Sequence, residues 1–144
     1  MSGEFRGLPS PSGEDHWAPV CDEPDVNIAI LLVGKVADRL GLKPVARASI
    51  MTAASELARN IIKYAGRGRM RIRLVQGPRG QGIEVVAEDN GPGIADLQKA
   101  MQDHFSESGT LGLGLPGAKR LMDDFHLWSE PGKGTRVTVR KWKT

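Results

Sequence analysis

The sequence is poor in cysteine, in aromatic residues and in long apolar runs, and these shortages exclude several classes of protein. A single cysteine among 144 residues excludes an internal disulfide and a cysteine-rich metal site. No apolar stretch reaches membrane-spanning length, and no apolar signal core is visible at the N-terminus. The net charge of +3 does not demand nucleic acid as a partner. We therefore expect a cytoplasmic protein with neither a membrane nor a nucleic-acid partner.

Glycine is the residue in excess, in a chain whose length suits one domain. It occurs 18 times, where an average chain of this length would carry about ten. Hydrophobic residues make up 40% and aromatic residues 5%, which predicts an aliphatic core. Residues 1–13 are small, polar and rich in proline and glycine. They predict a flexible tail before a single domain over residues 14–144.

Apolar periodicity predicts the order βααββααββ. The predicted elements are a strand at 17–21, helices over 25–40 and 44–65, a hairpin of 70–74 with 83–87, a short helix over 94–104, a helix over 116–125, and a hairpin of 127–129 with 135–142. Glycine-rich loops fall at 89–93 and 106–114. This order indicates an α+β fold, a two-layer α/β sandwich of one mixed, mostly antiparallel sheet with helices on one face.

Glu56 and Asn60 form the first candidate for chemistry. They are four residues apart on the long predicted helix, so their side chains share a face. A carboxylate beside a carboxamide can hold a hydrated Mg²⁺, and the carboxylate can accept a proton from an attacking hydroxyl. Taken alone, the pair is better explained as the exposed polar face of an amphipathic helix.

Asp89, Gly91 and Gly93 form the second candidate, at the end of an alternating strand. An aspartate in that place can accept a hydrogen bond from an exocyclic amine, and the glycines would let a flat base lie against the backbone. Taken alone, a plain Asn-Gly turn is again the better interpretation.

The densest glycine cluster resembles three phosphate-binding motifs and completes none of them. Gly112, Gly114 and Gly117 spell G-x-G-x-x-G, but no strand leads directly into them and no acidic residue follows at the required distance. Neither H-R-D nor D-F-G follows, and the G-K-[ST] ending of a P-loop is missing. Closely spaced glycines before a helix still favour a bound anion slightly over an empty loop.

Together, in this order, the motifs resemble the GHKL ATPases. The E-x-x-x-N helix, D-x-G-x-G after a strand, the glycine loop before a helix, and Gly134-Thr135 opening the last strand span residues 17–142. Residues 55–61, 88–94 and 112–125 further resemble the RsbT-type serine/threonine switch kinases of the stressosome. The resemblance implies ATP and Mg²⁺ as cofactors, STAS-domain proteins as substrates, and activation of a PP2C-type phosphatase by binding it.

The resemblance also implies roles for single residues. Glu56 matches the catalytic base and Asn60 the Mg²⁺ ligand. Asp89 matches the carboxylate that reads adenine, and Thr135 the residue behind the adenine. The loop residues that match nucleotide-binding positions are Gly91, Gly93, Gly109, Thr110, Gly112, Leu113 and Gly114.

Other functions remain open beside this one. An anti-sigma factor of the same fold would sequester a sigma subunit, although the sequence at 115–125 favours the switch kinases. A non-catalytic ATP-binding adaptor would not need both Glu56 and Asn60. A detached histidine-kinase catalytic domain would normally accompany a dimerisation helix with a phospho-accepting histidine, and the sequence contains none.

Four arginines at alternate positions give a last feature with two interpretations. Arg67, Arg69, Arg71 and Arg73 fall on one strand face. They form either a docking strip for an acidic partner or nucleic acid, or a solvated edge strand that charge protects from aggregation.

Overall fold

The computed structural model describes residues 10–95, 101 and 114–143. Its elements in chain order are β1 Ser10–Pro11, β2 His16–Val20, α1 Glu23–Leu40, α2 Pro44–Ala65, β3 Gly68–Gly77, β4 Gly80–Asp89, α3 Leu115–Leu121, β5 Asp124–Glu130 and β6 Gly134–Trp142. The strands pair in the order β1-β3-β4-β6-β5, and β2 also pairs with β3. Every pairing among the described strands is antiparallel. The predicted two-layer sandwich of one mostly antiparallel sheet with helices on one face is confirmed, and the sheet is open.

Local sequence signals set the limits of the two long helices. The Asp22 side chain caps α1 by accepting the backbone N–H of Asp25 at 3.0 Å, and Gly41 ends the helix with a φ of 81°. Pro44 opens α2, and Gly66 follows its last residue with a φ of 84°. Both predicted helices are confirmed, with α1 beginning two residues earlier than expected. No helix in the described ranges is long and apolar enough to cross a membrane.

The core lies between the helices and one face of the sheet, and it is aliphatic as the composition predicts. The large side chains that are fully buried there include Ile50, Leu57, Met70, Ile72, Ile83, Val85 and Val139. Successive side chains of a strand point to opposite faces. The inward positions of β3 and β4 are therefore apolar, and the residues between them point out of the open face of the sheet.

The helix predicted over residues 116–125 is shorter than expected. It ends at Leu121, and Phe125 lies in β5 opposite Val139. The backbone at Met122 is extended, and the N–H of Asp123 donates to the carbonyl of Arg140 at 3.0 Å. The prediction was wrong because this pairing with a distant strand takes over where the local apolar pattern would allow another helical turn.

The interpretation of β3 as an edge strand is also wrong. It pairs with β4 over residues 69–77 and with β1 and β2 on its other side. Arg69, Arg71 and Arg73 lie on the open face of the sheet, not along its rim. They do not protect a free edge, so their charge needs a different explanation.

Two predicted segments fall partly outside the described residues. In the helix predicted over 94–104, Ile94 and Ala95 are not helical, and residues 96–100 and 102–104 are outside the description. In the predicted tail, Ser10 and Pro11 pair with Gln76 and Val75 of β3, and residues 1–9 are outside the description.

Candidate functional site

Glu56 and Asn60 lie one turn apart near the middle of α2, and both are half-buried. The buried side chains of Leu57, Ala58 and Ile61 anchor this part of the helix in the core. Among the described residues, the side chains of Glu56 and Asn60 have no hydrogen-bond or ion-pair partner.

Gly114, at the end of the predicted phosphate loop, lies against Asn60. A methyl group at Gly114 would stand 3.1 Å from Asn60 Nδ2 and 3.4 Å from Oδ1, so a side chain here would fill the space before the carboxamide. Buried Leu115 and Pro116 follow at the start of α3, which packs against α2. The remaining predicted loop residues, Gly109, Thr110, Gly112 and Leu113, lie outside the described ranges.

Asp89 is the last residue of β4 and shares the helix-facing side of that strand with Ala87. Its Oδ1 accepts the backbone N–H of Gly91 at 2.8 Å. Its Oδ2 has no partner among the described residues. Thr135 of β6 lies directly opposite Asp89 in the sheet register. One carboxylate oxygen is thus fixed, and the other is available beside Thr135.

Gly91 and Gly93 fix the loop after β4 by allowing close packing against the protein itself. A Cβ at Gly91 would stand 2.6 Å from the Cβ of Ala65, the last residue of α2. Gly93 has a φ of 78°, and a Cβ there would overlap the carbonyl oxygen of Glu130. The sequence predicts that these glycines let a base lie against the backbone, and the structure adds this packing requirement.

Ser129 is a residue of the site region that no sequence motif indicates. Its Oγ accepts the backbone N–H of Ile94 at 2.7 Å, donates to the carbonyl of Gly134 at 2.9 Å, and lies 2.8 Å from Thr135 Oγ1. One hydroxyl therefore ties the loop after β4 to the start of β6. The one signal in the sequence was a polar residue at an inward position of a strand whose other inward positions, Phe125 and Leu127, are apolar.

These parts follow one another along α2. Ala65, at its C-terminal end, meets Gly91 beside Asp89, Asn60 meets Gly114, and Glu56 lies one turn further toward the N-terminus. At 1.5 Å per residue, about 7.5 Å of helix separates Ala65 from Asn60, and about 6 Å separates Asn60 from Glu56. A carboxylate at the end of β4, a carboxamide against the end of the glycine loop, and a second carboxylate thus stand in that order along one helix.

A cavity of about 570 Å³ opens at the end of the sheet where β4 and β6 meet the end of α2. Asp89, Thr135 and Ala65 line it on the side of the sheet that faces the helices. Arg69 and Arg136 line it where it continues around the sheet end toward the open face. The candidate base site and the open face therefore adjoin at this end of the sheet.

Comparison with known proteins identifies the family of the chain. The profile of the family described as histidine kinase-, DNA gyrase B-, and HSP90-like ATPase matches residues 46–144. Serine/threonine-protein kinase RsbT of Bacillus subtilis (strain 168) is 50% identical over 123 residues, which cover 85% of this chain and 92% of that protein.

More distant relatives carry the name Anti-sigma F factor. The one from Thermoanaerobacter sp. (strain X514) is 34% identical over 99 residues, and the one from Caldanaerobacter subterraneus subsp. tengcongensis is 36% identical over 101 residues. Each match covers 66% of this chain and 69% of the relative. The chain therefore belongs to the histidine kinase-, DNA gyrase B- and HSP90-like ATPase family, in the branch of serine/threonine-protein kinases that RsbT represents.

Proposed function

We propose that this chain uses ATP and Mg²⁺ to phosphorylate Ser or Thr on STAS-domain proteins, and that it activates a PP2C-type phosphatase by binding it once released from them. The observation that supports this most is the order of the three groups along α2, with Asp89 beside Gly91 at one end, Asn60 against Gly114 in the middle and Glu56 beyond. A cytoplasmic location remains a prediction from the sequence.

In this proposal, residues at the end of β4 recognise the adenine base. Asp89 Oδ2 has no described partner, so it can accept a hydrogen bond from the exocyclic amine of the base. Thr135 lies opposite and is held by Ser129, which keeps that wall of the site in place. Gly91 and Gly93 hold the loop, and Gly109, Thr110, Gly112 and Leu113 remain predicted contacts to the nucleotide.

The residues around Asn60 fit a magnesium ion shared with the nucleotide phosphates. The Asn60 carboxamide oxygen is a hard ligand, and Gly114 leaves the space before it open. The described residues bring together no group of three His, Cys, Asp or Glu side chains, so Mg²⁺ there would depend on phosphate and water oxygens for most of its ligands. When bound, Mg²⁺ would neutralise charge on the phosphates.

Glu56 is the proposed general base. The hydroxyl oxygen of the substrate Ser or Thr attacks the γ-phosphorus, and its proton passes to the Glu56 carboxylate. The bond from the γ-phosphorus to the bridging oxygen breaks, and ADP leaves with that electron pair. Asn60, one turn away on the same face, keeps the phosphate end of the site beside the base.

Asp89→Asn is expected to weaken ATP binding by about 1.5–3 kcal/mol, because one charge-assisted hydrogen bond to the base is lost. This corresponds to roughly ten- to hundredfold in Kd, measured by calorimetry. Asp38→Asn is the matched control, since Asp38 is exposed and pairs with Arg47 between α1 and α2. Unchanged ATP affinity in Asp89→Asn would remove Asp89 from the site.

The function itself is tested by incubating the chain with labelled ATP, Mg²⁺ and candidate STAS-domain proteins. Label is expected on a Ser or Thr of the STAS protein, and chelation of Mg²⁺ is expected to abolish it. The anti-sigma relatives make sigma sequestration the second candidate function. Capture of a sigma subunit without any transfer to STAS proteins would favour that candidate over ours.

A further inference from the structure

The open face of the sheet, opposite the helices, carries five arginines. They are Arg69, Arg71 and Arg73 of β3 with Arg136 and Arg140 of β6, and they surround a concavity of about 480 Å³. Two glutamates of β4, Glu84 and Glu88, stand between the two sets. Nothing in the proposed phosphate transfer uses this face.

Arg73, Glu84 and Arg140 lie side by side across three strands, and their charges pair with one another. Arg73 Nε lies 2.9 Å from Glu84 Oε1, and Arg140 Nε lies 2.8 Å from Oε2. The arginine side chains are only 16% and 13% exposed. Further carboxylates stand at both ends, Asp15 at 3.9 Å from Arg73 and Asp124 at 3.7 Å from Arg140. This row is a buried structural network with little left to offer a ligand.

Arg69, Glu88 and Arg136 form a second set across the same strands, and its arginines differ because they are exposed to solvent. Arg69 Nε contacts Glu88 Oε1 at 2.6 Å and Arg136 Nε contacts Oε2 at 3.2 Å, yet the two arginine side chains are 61% and 56% exposed. Within the described part of the chain, the terminal Nη groups of both arginines have no hydrogen-bond partner. Glu88 thus holds two guanidinium groups by their Nε atoms and leaves their forked ends available for carboxylates.

An exposed tryptophan flanks each of these arginines. Trp17 is 47% exposed with the Arg69 guanidinium 4.3 Å from its ring centre, and Trp128 is 46% exposed with that of Arg136 at 5.6 Å. Stacking on a ring leaves the hydrogen-bonding edge of a guanidinium accessible. Tryptophan and arginine are also enriched among the residues that dominate binding energy in protein interfaces. We call Trp17, Arg69, Glu88, Arg136 and Trp128 the tryptophan–arginine row.

We propose that the tryptophan–arginine row is a docking surface for an acidic protein segment that carries two carboxylates and neighbouring apolar side chains. The two guanidinium forks match the carboxylates, and the two indole rings match the apolar side chains. A nucleic acid fits less well, because Glu88, Glu84, Asp15 and Asp124 on the same face would repel a continuous phosphate backbone. The proposal does not depend on the kinase activity.

The test uses the full chain and a fluorescein-labelled peptide of about twelve residues in which Asp and Glu alternate with Leu. At about 50 mM salt, anisotropy is expected to show binding that the double variant Arg69→Gln/Arg136→Gln weakens by about tenfold or more. The matched control Lys35→Gln/Arg79→Gln removes the same charge from exposed positions elsewhere, and we expect a change below about twofold.

Two further measurements separate docking from a change in folding or in overall charge. Trp128→Ala leaves both ion pairs to Glu88 in place and is also expected to weaken the peptide complex. Binding should protect Trp17 and Trp128 from quenching by acrylamide, whereas Trp142 is only 3% exposed and contributes little to this signal.

Four outcomes would overturn the proposal. They are no binding of the peptide up to about 1 mM, equal weakening by the two double variants, strict competition between ATP and the peptide, and tighter binding of a single-stranded oligonucleotide of equal charge. The third would assign the row to the nucleotide site, and the fourth would make the open face a nucleic-acid surface.

Discussion

Glu56→Gln is expected to slow phosphate transfer by about 10²–10⁴-fold and to leave ATP affinity nearly unchanged. Glutamine keeps the size and hydrogen-bonding shape of glutamate but cannot take the proton from the substrate hydroxyl. Glu56 has no partner among the described residues, so the exchange should not disturb the fold. Single-turnover transfer to a STAS-domain protein measures the rate, and Glu23→Gln, on the exposed first turn of α1, is the control. Normal transfer by Glu56→Gln would exclude the general-base role.

The same variant separates catalysis from partner switching. If release from the STAS scaffold follows phosphorylation, Glu56→Gln should remain on the scaffold and fail to activate a PP2C-type phosphatase there. It should still activate the phosphatase when added without scaffold. Equal activation by the variant under both conditions would break the proposed link between phosphorylation and release.

Glu84→Gln is expected to lower the free energy of unfolding by about 3 kcal/mol, because it removes a buried charge and leaves its arginine partners uncompensated. Glu84 is 2% exposed and accepts hydrogen bonds from Arg71, Arg73 and Arg140. Urea denaturation measures the change. Glu88→Gln is the matched control, since it lies between exposed arginines and should cost about 1 kcal/mol or less. Equal losses of unfolding free energy in the two variants would show that the burial of Glu84 does not determine the cost.

Titration of Glu84 should also contribute to the pH dependence of the free energy of unfolding. Burial alone would raise the pKa of Glu84, but the hydrogen bond from Arg140 and the charges of Arg73 and Arg140 outweigh burial and hold it below its ordinary 4.5. A depressed pKa in the folded state stabilises the protein above pH 4.5, and this contribution is lost as the pH falls through the folded value. The native chain should therefore lose more stability on acidification below pH 4.5 than Glu84→Gln does. Parallel losses would show that Glu84 does not carry this dependence.

Much of the fold could be predicted because its signals are local. Gly41 and Gly66 end the two long helices, and alternation along β3 and β4 marks which side chains face the core. The end of α3 could not be predicted in this way. Asp123 and Asp124 are held by the backbone N–H and the indole N–H of Trp142, 19 and 18 residues further along the chain. No local pattern reports such contacts.

The candidate site, like the fold, could be predicted only where the signal is local. Asn60 and the glycine loop could each be singled out from the sequence, since each lies in a segment with its own signature, and the structure adds that Gly114 lies against Asn60. Ser129 was missed because it acts through Ile94, 35 residues away in the sequence. Glu84 was missed because a charged residue on an outward strand position is ordinarily solvated. It is buried here by arginines of both neighbouring strands, one of them 56 residues distant.

Glu88 and Asp89 are neighbours at the end of β4, and they point to opposite faces of the sheet. Glu88 anchors the two arginines of the open face, and Asp89 faces the proposed nucleotide site. If ATP changes the affinity of the open face for a partner by some factor, the partner must change the affinity for ATP by the same factor. A docked protein would then change the fraction of the kinase that holds ATP without contacting the nucleotide. Exchange of one partner for another would in that case change ATP binding.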